Sequence, residues 1–385
     1  MPVPERATLR EYRLAAVDVL PLLERLVSID SVNPGLGGAG EGEIAAFVAE
    51  WARGAGLEVE LDEAAPGRPN VIATARGTGG GRTLLLNAHT DTVGHGGMAD
   101  PLVPRVEEGR LFGRGSYDMK AGLAACLVAA AEVAQRGLRG NVVVTAVVDE
   151  EVESIGTQSI LERVRADAAI VAEPTQMRVC VAHKGFVGFE LETIGRAAHG
   201  SRPDLGVDAI AKMGHVLVGL EALDRSLRER PTHPLLGSGS VHAGVITGGA
   251  EYSTYPARCL LQGERRTVPG ESLHQVEAEL QDLLDGPARD DPEFQGTWRV
   301  VAERRPFETS EHDEIARLVR ACAGAGEVVG ESYWTDAALI AELQIPTVVF
   351  GPGGEGAHAD VEWVSIADVE RCAAVFLSVA AEFCV

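Results

Sequence analysis

The chain has 385 residues, of which 45% are hydrophobic and 24% charged, a composition that suits a soluble globular protein of about two domains. Its formal net charge of −23 opposes binding to nucleic acid or to an anionic membrane surface. Six scattered cysteines without a C-x-x-C pair suit reduced, buried thiols in a cytoplasmic protein. The start, MPVPERATLREYRL, has no apolar signal core, and no run reaches the about 18 apolar residues of a membrane span.

In chain order, Leu9–Ile29 reads as an amphipathic helix closed by the turn residues SVNPG, Ser31–Gly35. Glu41–Gly54 is a second helix, with Ile44, Phe47, Val48 and Trp51 spaced for one face. Leu57–Leu61 and Asn70–Ala75 read as strands. The glycine-rich GTGGGR, Gly77–Arg82, precedes a strand and lacks the Gly-Lys-Ser/Thr of a phosphate loop, so it reads as a hairpin loop and disfavours a nucleotide-binding protein.

The organising stretch is Leu84–Asp91, LLLNAHTD. Three leucines in a row mark a strand buried on both faces, as in a parallel sheet covered by helices. It ends in a polar cluster, Asn87, His89 and Asp91, at the carboxyl end where open α/β sheets bind ligands. His89 offers an imidazole nitrogen to a metal, and Asp91 a carboxylate to orient the ring. A lone histidine there is more often structural, and the weight comes from repetition further along.

An irregular glycine-rich segment runs to Gly109. Asp118 then stands just ahead of the all-round apolar helix AGLAACLVAAAEVAQ, placed to cap it and, with the helix returning, to face the His89 end of the sheet. Asn141–Val148 is a second buried strand, ending in Asp149–Glu150–Glu151. Three consecutive carboxylates are costly there unless solvated, paired or bound to a cation, and neighbours in extended backbone point opposite ways, so Glu150 and Glu151 can serve different partners. Ala168–Ala172 is a third such strand, ending in Glu173–Pro174, and Pro346–Phe350 a fourth, followed by GPGGEGAHAD with His358. Four strand ends thus gather two histidines and several carboxylates, the ligand chemistry of a two-metal hydrolytic site.

Between the third and fourth of these strands the pattern changes. Strands at His183–Ile194, Ser240–Ile246, Arg258–Arg266 and Thr297–Glu303 and helices at Val207–Leu227 and Glu271–Asp285 give the order β-α-β-β-α-β, a ferredoxin-like insertion. The expected architecture is an α/β catalytic domain, residues 1–181 and 305–385, with a central mostly parallel sheet flanked by helices, interrupted by an α+β domain at 182–304. Its hinge is expected near Cys180–Ala182 and Arg304–Thr309. A helix from Glu311, another at Trp334–Leu343 and a last at Ile366–Phe383 complete the first domain.

The segments NAHTDTV, DPLVPRVEEGRLFGRGSYDMKAG, DEE, AEPT, HKG, AAHGSRP and GPGGEGAHADVEW, in this order, resemble the dinuclear zinc amidohydrolases and peptidases. That family includes acetylornithine deacetylase, succinyl-diaminopimelate desuccinylase, bacterial glutamate carboxypeptidase and the aminoacylases. HTDTV, EPT with HKG, and RTVPG are most similar to acetylornithine deacetylases. The resemblance implies a zinc-peptidase-like catalytic domain with an inserted lid and dimerisation domain, and two divalent ions, zinc or else cobalt. Asp118 would bridge them, His89 and Glu173 would hold one, and Glu151 and His358 the other. Glu150 would be the general base, with Asp91 orienting His89. His199, in AAHGSRP, would reach the scissile carbonyl from the partner subunit of a homodimer, and Arg266 would receive the substrate carboxylate, with Gly353 and Ser253 also at the substrate. The family usually has asparagine where this chain has Ser253, which is shorter and lacks an amide donor, a departure from the family at the substrate grip. The implied substrate is an N-acyl amino acid, with a dipeptide or acyl-glutamate as the alternative. A non-catalytic amino-acid-binding relative would lack a ligand or the base, and none is missing.

Overall fold

The computed structural model describes residues 18–385, which fold as two compact units. The first takes the chain through Val181, then Thr309–Val329 and Thr335–Val385; the second takes Ala182–Glu308 and the short piece Gly330–Trp334. The N-terminal half of the expected Leu9–Ile29 helix lies outside the described residues, and the helix seen is Val19–Val27, capped by the Asp18 carboxylate.

In the first unit the sheet runs in the order Glu58–Ala65, Arg68–Ala75, Val142–Val147, Leu84–His89, Ala168–Val171, Thr347–Val349. The last four are mutually parallel, while the first two and the pairing of Cys180 with Val349 are antiparallel, so the sheet is mixed, with a parallel centre. Every residue of Leu84–His89 and Val142–Val147 is buried, which explains their unbroken apolar runs. Each buried leucine of LLL stabilises the fold by about 1.5–3 kcal/mol. The helices Lys120–Arg136 and Ile366–Phe383 pack on the sheet within one continuous core.

Register sets what the strands deliver. His89 lies opposite Val147, Asn87 opposite Val171, and Val171 opposite Val349. The residues just past these partners, Asp149–Glu151, Glu173 and Gly351 onward, therefore emerge at one edge beside His89. Gly122 lets the Lys120–Arg136 helix approach that edge, since a Cβ there would lie 2.0 Å from the Ala172 carbonyl oxygen.

Two segments depart from the expected structure. Gly77–Arg82 is not a hairpin loop, because Val142–Val147 lies between the strands it joins. It crosses over the start of that strand, with the Gly77 amide donating to Asn141 Oδ1 at 3.0 Å and the Thr78 amide to the Leu138 carbonyl at 2.8 Å. The irregular segment before Gly109 also holds a strand, Arg105–Glu107, paired with Arg110–Phe112. Together with Trp363–Ser365 and Gly354–Glu355 it forms a separate four-stranded sheet, which brackets the loop carrying His358.

The second unit has the strand order Ser240–Gly248, Arg258–Thr267, Gly185–Ile194, Gln295–Arg304, all antiparallel. With helices Ala209–Arg228 and Leu273–Asp290, this is the ferredoxin-like chain order. Gly185–Ile194 alternates buried and half-buried positions, and Phe189 and Leu191 pack against Met213, Val216 and Leu280. Asp208 caps the first helix, and Ser272 with Gln275 forms a capping box on the second.

Candidate metal centre

Asp118 sits between two histidines: its Oδ1 lies 3.3 Å from His89 Nε2 and its Oδ2 lies 3.5 Å from His358 Nε2. Around His89 Nε2 stand Glu173 Oε1 at 3.5 Å and Glu150 Oε2 at 3.9 Å. Around His358 Nε2, Glu151 Oε2 approaches to 3.1 Å. Among the described residues, His89, Asp118 and Glu151 form one group whose ligand atoms lie within 4.8 Å of one another, and His89, Glu150 and Glu173 form a second. The structure thus brings together His89, Asp118, Glu150, Glu151, Glu173 and His358, six of the positions expected from sequence. Glu150 and Glu173 thus share the His89 side of the cluster, with Glu173 the nearer of the two.

Asp118 is not the helix cap that its position suggests. The helix begins at Lys120 with Met119 before it, and no side chain caps it. The Asp118 carboxylate is thereby left for the histidines.

Asp91 is tied down on all sides. Its oxygens accept the Glu150 amide at 3.1 Å, the Glu151 amide at 3.2 Å and Asn33 Nδ2 at 2.7 Å. The Asp91 carboxylate lies 3.5 Å from His89 Nδ1, and the Asp91 backbone carbonyl lies nearer, at 2.9 Å. A proton on Nδ1 facing these oxygens leaves the Nε2 lone pair directed at Asp118 and Glu173, the arrangement of a ligating histidine.

Left to the side chains alone, this site is short of positive charge. Burial pushes the Glu150 and Glu173 carboxyls well above the usual carboxylate range; Glu173 adds to the rise at Glu150, and Asp118 and Glu151 add to that at Glu173. Burial also raises Glu151, against the pull of His358. His358 is raised to about 10 by its contacts with Asp118 and then Glu151. Burial works against protonation of His89, yet Glu173, Asp118, Asp91 and Glu150 together raise it well above its ordinary value. Asp118 is held low despite burial by the two histidines. Glu151 Oε1 is buried without a hydrogen-bond partner. A set of oxygen and imidazole donors with surplus negative charge and an unsatisfied carboxylate oxygen fits divalent cations. His358 itself adopts φ 62°, a left-handed backbone costing about 1–3 kcal/mol for a residue with a side chain, the kind of strain that concentrates at functional sites.

Several residues at the site carry no obvious sequence signal. Asn33, inside the turn SVNPG, also donates to Asp149 Oδ1 at 3.0 Å, and Asp149 pairs with Arg68 at 2.8 Å. Arg68 in turn reaches the buried Glu41. Asp336 is buried, accepts from Thr157 Oγ1 at 2.6 Å, and is raised to about 6 by burial; its Oδ1 has no hydrogen-bond partner. Asn87 donates to Thr145 and Thr157 at 3.1 and 3.2 Å, so it supports that contact. A signal for Asn33 and Asp336 existed only as polar residues beside Pro34 and ahead of the Ala337–Glu342 helix.

Gly353 packs against Asp368 and Gln176, where a Cβ would lie 2.6 Å from Asp368 Oδ2. In the second unit, Arg266 pairs with Glu264 at 2.6 Å and lies 5.3 Å from the Phe186 ring, while its neighbour Arg265 is buried between Glu271 and Glu279. The Ser253 carbonyl accepts the Gly200 amide at 2.6 Å, and His199 bridges to Thr254. His199 is exposed, and its Nδ1 accepts the Ser201 amide at 3.2 Å beside Ser201 Oγ at 2.8 Å. That assigns the ring proton to Nε2, leaving a donor at the exposed nitrogen.

Residues 85–382 match the family model described as peptidase family M20/M25/M40. The chain is 34% identical to an acetylornithine deacetylase of Myxococcus xanthus, over 98% of this chain and 97% of that protein. It is 29% identical to one from Proteus mirabilis, over 88% and 89%. Its fold is similar to a metallo-carboxypeptidase of Sulfolobus solfataricus, with TM-score 0.79, 18% identity and coverage of 96% and 99%. A dinuclear metal binding peptidase from Bacillus subtilis gives TM-score 0.73, 16% identity, and coverage of 94% and 97%. With the matched segment spanning all the clustered carboxylates and histidines, the chain belongs to peptidase family M20/M25/M40.

Proposed function

We propose that this chain hydrolyses the amide of an N-acyl amino acid, most like an acetylornithine deacetylase, at a centre of two divalent ions. The chain is a metal-dependent amidohydrolase of its family; the substrate, the zinc and the residue roles are our reading. The observation that carries it is Asp118, one oxygen toward His89 and the other toward His358. In this reading Asp118 would serve both sites, with His89 and Glu173 completing one and Glu151 and His358 the other. Ions bound there would polarise the amide carbonyl and lower the pKa of an attacking water. Glu150 takes the proton of that water and passes it to the leaving amine; a carboxyl raised by burial is suited to both transfers near neutral pH. Asp91 holds His89 and the amides of Glu150 and Glu151 in place. His199 donates from Nε2 to the developing oxyanion, and Arg266 takes the substrate carboxylate.

We further infer a homodimer formed through the second unit. Supporting it, Ser240–Gly248 is an edge strand that pairs with another strand on one side only among the described residues, with Val245 and Ile246 exposed by 54% and 51%. A cytoplasmic setting is supported by six cysteines outside any disulfide, five of them buried. No helix among the described residues is long and apolar enough to cross a membrane.

The test is a panel of N-acetyl and N-succinyl amino acids and dipeptides, assayed with zinc or cobalt and after chelation. Fastest cleavage of an N-acetyl amino acid, abolished by chelator, is expected. Dipeptides are included because Ser253 lacks the amide donor of the family's asparagine. Faster dipeptide cleavage would replace the deacylase reading with a dipeptidase one, and no cleavage by the metal-loaded protein would overturn both.

A further inference from the structure

Glu362 is 1% exposed, and both of its carboxylate oxygens are fully used. Oε1 accepts the backbone amides of Tyr117 and Asp118 at 2.9 and 3.0 Å. Oε2 accepts the Gly115 amide at 3.0 Å and Arg114 Nη1 at 2.7 Å. Arg114, 2% exposed, donates from Nη2 to the Ala359 carbonyl at 2.9 Å. One buried ion pair therefore grips two loops at once: the turn that ends in Asp118, and the loop that carries His358 four residues before Glu362. The sheet pairing of Trp363 with Phe112 fixes the same two segments just beyond the pair.

We propose that Glu362, through its pair with Arg114, is a positioning residue that sets the separation of Asp118 from His358 and thereby the occupancy of the second of the two ion sites. This rests on the reading of Asp118 and His358 as metal ligands. A neutral isostere in place of the buried carboxylate leaves Arg114 still demanding an oxygen, so in Glu362→Gln the single carbonyl oxygen of the new side chain faces Arg114. Its amide nitrogen then meets the Tyr117 and Asp118 amides, donor against donor. The local consequence is a displaced Asp118 turn. His89 and Glu173, held by the sheet register, do not depend on this contact.

The experiment compares wild type, His358→Ala and Glu362→Gln for ion content after dialysis, cobalt titration followed by visible absorption, and the exchange-coupled signal of a manganese pair. Glu362→Gln should fold with near-wild-type near-ultraviolet dichroism and still bind the first ion, which keeps His89 and Glu173, with the smaller loss of the two. Its second ion should bind at least about tenfold more weakly, the coupled manganese signal should fade, and kcat should fall with KM unchanged. Excess metal should restore part of kcat. Equal weakening of both ions, or wild-type affinity for both, overturns the proposal. Should Glu362→Gln not fold, Arg114→Lys is the second variant: it keeps a charge on Glu362 but loses the donor to Ala359, and the same selective loss in milder form is expected. Failure of both variants to fold would mean that the pair serves folding and not positioning. If His358→Ala itself keeps the second ion, the ligand reading fails, and Glu362 falls with it. Loss in His358→Ala but not in Glu362→Gln sinks the positioning role alone.

Discussion

Asn33 donates its side-chain amide to the Asp91 carboxylate at 2.7 Å. The same nitrogen reaches Asp149 at 3.0 Å, so a single amide keeps two buried carboxylates apart. Asn33→Ala removes the shared donor and should destabilise the protein by about 1–3 kcal/mol, since Asp149 retains Arg68 but Asp91 keeps only backbone donors and His89. Asn33→Asp, which sets a third carboxylate between the two, should be worse. Urea unfolding of the metal-loaded protein checks both, and an unchanged midpoint for Asn33→Asp would show that Asn33 does not hold the two carboxylates apart.

The protonation of the site predicts how stability responds to pH. In protein stripped by chelation, His358 moves from 6.5 to about 10, so the folded state holds this proton more tightly than the unfolded chain. That stabilisation is fully present below about pH 6.5 and is lost as pH rises through about 10. Glu150 and Glu173 are also raised, so their contribution runs the same way, present in acid and lost as pH rises through their raised values. Stripped protein should therefore lose stability on the way from mildly acidic to alkaline pH. Ligands bind metal deprotonated, so loading should release protons at neutral pH and tighten as pH rises. Calorimetry in buffers of different ionisation enthalpy measures the release, and metal uptake without proton release would refute the protonation scheme.

Glu150 and Glu151 are adjacent yet face different histidines, at 3.9 Å from His89 and 3.1 Å from His358. Glu150→Gln keeps the shape but not the base, so turnover should fall by about 10²–10⁴-fold with both ions retained. Glu151→Gln should lose an ion first. Ion content of the two variants decides it. The reverse pattern would exchange their roles, an outcome the proximity of Glu150 to Glu173 and His89 makes worth measuring.

The sequence made the strand ends legible because parallel strands buried on both faces have to be continuous apolar runs, so the polar residue ending each run is conspicuous. His89, Glu150, Glu151 and Glu173 stood out in this way, and register did the rest. Asp118 was legible as a residue, but its apparent capping role was not what the chain does. What escaped was held by long-range contacts without periodicity. Asn33 lies 58 residues from Asp91, and Glu362 lies 244 residues from the Asp118 amide it accepts. Glycine runs misled in one place: Gly77–Arg82 looked like a hairpin, but its glycines serve close passage over Arg139 and Gly140, where a Cβ on Gly77 would lie 2.2 Å from the Gly140 carbonyl.

His199 is the group whose expected role reaches beyond a single chain. Its Nδ1 accepts from Ser201, so the exposed Nε2 is the nitrogen that can donate to an oxyanion. Removing one such donor typically reduces turnover by about 10²–10³-fold while ground-state binding changes little. His199→Ala should therefore retain its metal and its KM and lose most of its kcat. Our reading draws this donor from the partner subunit, which a mixing experiment tests directly. His199→Ala and Glu150→Ala chains, each nearly inactive alone, are combined under conditions where labelled subunits are seen to exchange. A mixed dimer then has one site with its own Glu150 and an intact histidine donated across the interface, and activity should return. If exchange is demonstrated and the mixture stays inactive, His199 either serves its own chain or plays no part in the reaction. Breaking the edge strand supplies the control. Ile246→Lys, at an exposed position of Ser240–Gly248, should shift the protein toward monomer in sedimentation and depress turnover as strongly as His199→Ala, with metal content unchanged. A monomer that keeps full activity would rule out a donor supplied in trans.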